Sequence, residues 1–115
     1  MLMKQLTGGT VGGGIDLYNP DFIESSASGM TSTTAKHFTT TKKPKYVMCL
    51  TYYSGAFLRI IDVENQKAHW WGYAGSTSYD ADLTYSSVIT NVSDTGFDLY
   101  GVSGAATKDW IFAYY

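Results

Sequence analysis

The sequence predicts an all-β fold: a six- to seven-stranded antiparallel β-sandwich behind an extended N-terminal arm rich in Gly, Ser and Thr. Three observations predict it. Aromatics make up 16% of the 115 residues, with ten tyrosines, whereas glutamate occurs only at Glu24 and Glu64 and arginine only at Arg59. Aromatic and β-branched residues fit pleated, half-buried surfaces, and helices lean on Ala, Leu, Glu, Lys and Arg. Short apolar runs recur at hairpin spacing, each closed by Gly, Pro, Asn or Asp. A chain of this length buries roughly two-thirds of its unfolded surface, so a core can form without disulfides. The lone Cys49 leaves no internal disulfide, and its place in the run Tyr46 to Leu50 reads as a small buried hydrophobe.

The elements follow in order. Residues 1–35 hold Gly8-Gly9, Gly12-Gly13-Gly14 and the small polar stretch Ser25 to Thr34, with few apolar residues. Alone, such a segment buries too little to offset its ordering entropy. It reads as an attachment and oligomerisation arm that lies against a neighbouring subunit or a larger assembly, with the sandwich domain at 36–115. Removing residues 1–35 is therefore expected to leave the sandwich folded. His37 to Thr41 is an entry strand, punctuated by Lys42-Lys43-Pro44. Lys45 to Tyr53 is a strand ended by Ser54-Gly55. Ala56 to Val63 and Ala68 to Tyr73 form a hairpin about Glu64 to Lys67. Ala74 to Thr84 reads as a polar loop, and Tyr85 to Val92 as a strand. Ser93-Asp94-Thr95-Gly96 is a tight turn that wants a residue tolerant of positive φ at Gly96. Phe97 to Tyr100 and Asp109 to Tyr115 are the last strands, joined by the loop from Gly101 to Lys108.

Alternation along these strands is two-sided. Tyr46, Met48, Leu50 and Tyr52 oppose Val47, Cys49, Thr51 and Tyr53, and Trp110, Phe112 and Tyr114 oppose Ile111, Ala113 and Tyr115. A sandwich strand with one wet face shows a polar residue at every second position. Apolar residues on both faces imply that the outer face is covered too, and a homotrimer or larger ring is the expected assembly. The alternative is that exposed tyrosines simply tolerate water.

The net charge of −2 and isoelectric point near 5.5 offer no basic patch for nucleic acid. Lys42, Lys43 and Lys45, broken by Pro44, read as a solvated turn. No run approaches the ~20 apolar residues that span a bilayer, so no membrane insertion is expected. Met1 to Lys4 lacks a signal peptide's apolar stretch, which suggests synthesis in a cytoplasm.

Signals for catalysis are thin. No G-x-S-x-G elbow, C-x-x-C or H-E-x-x-H is present, and Gly8 to Gly14 lacks the Lys-Ser/Thr that a phosphate loop requires. Cys49 with His69 is the one nucleophile–base pair left open by sequence. No enzyme activity, cofactor or metal is expected. Asp80-Ala81-Asp82 carries oxygen donors suited to calcium, yet its spacing is generic and equally that of a solvated loop. The binding candidates are aromatic. In His69-Trp70-Trp71-Gly72-Tyr73, Trp71 and Tyr73 share a side, and Trp70 takes the opposite one. Exposed Trp71 and Tyr73 suit the apolar faces of sugar rings, with Asp80 and Asp82 available to bond hydroxyls. The alternative is burial of both tryptophans, one in the core and one in a subunit interface.

The stretch from Val88 to Leu99, followed by Trp110-Ile111-Phe112-Ala113-Tyr114, resembles the last strands of H-type lectin domains and similar bacteriophage tail-fibre tips. These end in a strand, a turn of the type T-x-x-G-F, a strand and a final W-x-A strand. Phe38 to Val47 is similar to their opening, where an aromatic strand leads through a proline into the core. The resemblance covers roughly residues 36–115. It implies a trimeric sandwich in a virion, made in the host bacterial cytoplasm, as a tail, baseplate or fibre component touching host-surface carbohydrate. Two readings stand together at this point. One is a receptor-binding module for host glycans. The other is an architectural virion protein, such as a head fibre, capsid decoration or tail ornament, that binds only other virion proteins. An aromatic cleft about Trp71, Tyr73 and residues 74–84 marks the first, and aromatics set into contact surfaces mark the second.

Overall fold

The computed structural model describes residues 15–52, 54–105 and 107–115. The glycine-rich part of the arm, residues 1–14, lies outside them. Nine strands among the described residues form two antiparallel sheets. They are β1 (Phe22–Ala27), β2 (Lys36–Thr39), β3 (Tyr46–Tyr52), β4 (Gly55–Asp62), β5 (Lys67–Ala74), β6 (Thr77–Leu83), β7 (Ile89–Ser93), β8 (Gly96–Leu99) and β9 (Lys108–Tyr114), with one helical turn, α1 (Tyr85–Val88), before β7. The large sheet has the order β1-β9-β3-β4-β5-β6, and the small sheet β2-β8-β7.

The core lies between the sheets. Val47, Cys49, Ile61, Ile111 and Ala113 descend from the large sheet and meet Phe38, Ile89, Phe97 and Leu99 of the small one. Phe38 and Phe97 stack at 5.6 Å, and Phe22 meets both edge-on. Gly96 adopts φ +150° and sits against the Phe38 carbonyl, where a Cβ would come within 2.2 Å of that oxygen. The turn-forming residue thus also sets the close approach of β2 to β8.

Four expectations change. The strand count rises from six or seven to nine. The stretch read as a polar loop, Ala74 to Thr84, contains β6, paired residue for residue with β5. Its polarity comes from being an edge strand whose side chains are mostly exposed, so an apolar alternation was not required. Tyr85 does not begin a strand; the chain makes the turn α1 there, closed by Ser87 N–H to the Thr84 carbonyl (3.0 Å), as it leaves the large sheet for the small one. Finally, the sandwich does not begin at residue 36. Phe22–Ala27 pairs with β9 as the other edge strand, and Met30 is wholly buried in the core. Hydrogen bonding to β9 and the burial of Phe22, Ala27 and Met30 supply what the small polar stretch lacks by itself.

Candidate interaction face

The strand registers place side chains of the large sheet in rows that cross it. On the inner face, one row runs Cys49, Arg59, Trp70, Ala81. On the outer face, Lys108, Tyr52, Ala56, Tyr73 and Ser78 form a first row. Trp110, Leu50, Leu58, Trp71 and Asp80 form a second, and Phe112, Met48, Ile60, His69 and Asp82 a third, which Ile23 extends onto β1. A fourth row, Tyr114, Tyr46, Asp62 and Lys67, is partly covered by the lead-in to β1. There the Tyr114 hydroxyl donates to the Leu17 carbonyl at 3.0 Å, and Ile15 and Leu17 wall a shallow apolar pocket of about 220 Å³ over Met48 and Ile60.

The first three rows stay open to solvent among the described residues. Tyr52 is 66% exposed, Tyr73 59%, Ile23 56%, and Leu50 and Trp71 41% each. Met48, Leu58, Ile60, Trp110 and Phe112 are half-buried beside them. The strands β3, β4 and β9 are therefore apolar on both sides in three dimensions as well as in sequence. An apolar face of this breadth is uncommon on a free surface.

All four proposed binding residues come together here. Trp71 and Tyr73 project from β5 on the outer face, and Asp80 stands directly across from Trp71 on β6. The unexpected member is His69. Its Nδ1 meets Asp82 Oδ1 at 2.8 Å and its Nε2 meets Asp80 Oδ1 at 2.6 Å, with the ring 4.5 Å from that of Trp71. A neutral imidazole donates from one nitrogen only, so a carboxylate on each side favours the imidazolium. The bonds to Asp82 and then Asp80 hold the His69 pKa above its ordinary value. Each carboxylate takes a different ring nitrogen, and no group of three or more His, Cys, Asp or Glu among the described residues is arranged to hold a metal ion. The His69–Asp82 and Trp71–Asp80 register was not legible before residues 77–83 were known to be a strand.

Trp70 behaves as expected of the inner face. It stacks on Phe57 at 5.4 Å and packs against Tyr79 at 5.1 Å. Cys49 and His69 lie on opposite faces of the sheet, so they form no nucleophile–base pair. Cys49 instead belongs to a buried polar cluster. Arg59 Nη2 donates to its Sγ at 3.1 Å, Arg59 Nη1 to the Tyr100 carbonyl at 2.7 Å, and Asp109 accepts from Thr51 and, at 2.8 Å, from Thr107. Burial, the dominant cause, raises the Cys49 thiol pKa against the lowering effect of Arg59.

No helix among the described residues is long and apolar enough to cross a membrane. The chain matches no protein-family model, and comparison with curated proteins and with solved structures returns no match.

Proposed function

We propose that the chain is a non-enzymatic structural protein of a bacteriophage virion, an architectural unit held in its particle through the outer face of its large sheet. The observation that carries this is the three open rows, where Leu50, Leu58, Trp110 and Trp71 lie side by side with no charged residue between them. Sites for small ligands are typically concave, with a few convergent polar groups. A broad sheet face suits packing against protein, as sheets pack face to face in sandwiches. The likeness of residues 36–115 to H-type lectins and tail-fibre tips supports the virion setting.

A second reading, binding of host-surface glycans, is favoured by the exposure of Trp71 and Tyr73 beside Asp80 and Asp82. Incorporation separates the two. A tagged chain expressed while its phage replicates should co-sediment with particles, and Leu50→Asp should abolish this while leaving the melting temperature within a few degrees. A Trp71→Ala chain that assembles normally but no longer holds particles to host cells selects the glycan reading. A wild-type chain that stays wholly in the soluble fraction overturns both.

A further inference from the structure

The second row has a symmetry that names a partner. From β9 to β5 it reads Trp110, Leu50, Leu58, Trp71, the same forwards and backwards about the line between β3 and β4. The third row follows it in outline only: Phe112, Met48, Ile60 and His69 set a ring at each end and aliphatic side chains between, but His69 is bonded to two carboxylates. A two-fold axis along that line and parallel to the strands leaves every row in place and exchanges its ends. Trp110 of one copy then meets Trp71 of the other, and Leu50 meets Leu58. Isologous contacts require such self-complementarity, in which residue i meets j and j meets i.

We propose that the occupant of this face is a second copy of the same chain, packed sheet to sheet about this axis. The inference rests on the assembly reading, takes the chain into its particle as a pair joined through this face, and stands in place of the trimer or larger ring expected from the sequence. Five strands spaced about 4.8 Å, and three rows of about 6.7 Å each, give a patch on the order of 500 Å² before side-chain relief. Over two copies that is about 1,000 Å², the lower limit for a specific interface, against about 800 Å² per partner for a standard one. Lys108 closes the first row on β9, and Asp80 and Asp82 close the second and third on β6. The axis lays Lys108 over Tyr73 of the other copy and the β6 carboxylates over its β1 strand, so these charges stay at a polar rim around the apolar centre. The face keeps His69 between Asp80 and Asp82 at that rim, where its partners hold it whether or not the second copy is present.

The experiment is light scattering on the full chain at micromolar concentration, with mixing of variants. Wild type should give twice the 12.6 kDa chain mass. Leu50→Asp and Leu58→Lys should each be folded by circular dichroism and run as monomers, with dimerisation weakened at least about a hundredfold by a buried, unpaired charge. Mixing these two should restore the dimer, because the Asp at 50 meets the Lys at 58 across the axis while Leu58 and Leu50 meet on the other side. Mixing Leu50→Asp with Leu50→Lys should not. The opposite pattern of rescue, or a wild-type mass three times that of the chain, overturns the two-fold arrangement. A wild-type monomer whose Leu50→Asp variant still fails to enter particles overturns the second copy but leaves the assembly reading standing, with another virion protein as partner. A monomer that pairs only after removal of residues 1–14 assigns the face to the chain's own N-terminal segment and overturns the inference.

Discussion

Asp109→Ala should destabilise the fold by about 3–5 kcal/mol, the usual result of stranding one member of a buried ion pair. Asp109 and Arg59 are both fully buried, with Nη2 and Oδ1 3.9 Å apart. At an effective dielectric near 20, that separation corresponds to about 4 kcal/mol of attraction. Removing two charges from water costs several kcal/mol per ion, so the pair contributes little net stability although each member needs the other. Asp109 is the better satisfied of the two, because Thr51 and Thr107 also donate to it. Arg59 has no partner at Nε. Deleting the carboxylate therefore leaves the more demanding charge behind, and Arg59→Met should cost less than Asp109→Ala. The double variant Arg59→Met/Asp109→Leu, which fills the volume without charge, should recover to within about 1–2 kcal/mol of wild type. Urea unfolding followed by tryptophan fluorescence, arranged as a double-mutant cycle, measures all three. Strictly additive single effects, or an Asp109→Ala loss below about 1 kcal/mol, would refute the reasoning.

Three further outcomes follow from the structure. At Gly72 a Cβ would lie 2.1 Å from the Phe57 ring, so Gly72→Ala should displace the Phe57–Trp70 stack, cost about 1–3 kcal/mol in chemical denaturation and change the tryptophan emission. His69 should titrate above its ordinary value of 6.5 in a proton NMR titration, and fall back toward it in Asp80→Asn/Asp82→Asn. Because the folded hairpin holds that proton more tightly than the unfolded chain, its stabilisation is complete below the unfolded value and disappears as pH rises through the raised one. Deleting residues 1–35 should lower the melting temperature by well over 10 °C or abolish the cooperative transition, since it removes β1 and Met30; a truncated chain that melts like wild type would show the edge strand to be dispensable.

What the sequence made legible divides along a physical line. β3, β4, β5, β8 and β9 lie within one or two residues of where their apolar runs and turn residues place them, because each is held on its inner side by the core. The β4–β5 hairpin was marked by Glu64 to Lys67, and Asp62 closes it through Asn65, accepting from its backbone N–H at 3.1 Å and its side chain at 2.8 Å. The two edge strands of the large sheet were missed for one shared reason. β1 and β6 send few side chains to the core, Phe22 and Ala27 from one and Leu83 from the other, so their sequences, Phe22–Ala27 and Thr77–Leu83, carry little of the apolar alternation that burial of one face demands. Their strand character comes from β9 and β5, residues distant in the chain or hidden behind a turn, and local pattern does not report that.

The same division explains the candidate site. Trp71 and Tyr73 could be assigned to one side of a strand from their spacing alone, and exposure on the outer face follows once Trp70 takes the inner one. Asp80 and Asp82 could not be joined to them until β6 became a strand, and His69 gained its two carboxylates only with that register. The symmetric second row is one level further out. Trp71 and Leu58 are neighbours across one hairpin, but Trp110 stands beside Leu50 only because the last strand inserts between β1 and β3. Two-sided apolar strands thus announced that the outer face needs cover. The order in which topology sets those strands side by side decides what shape of cover fits.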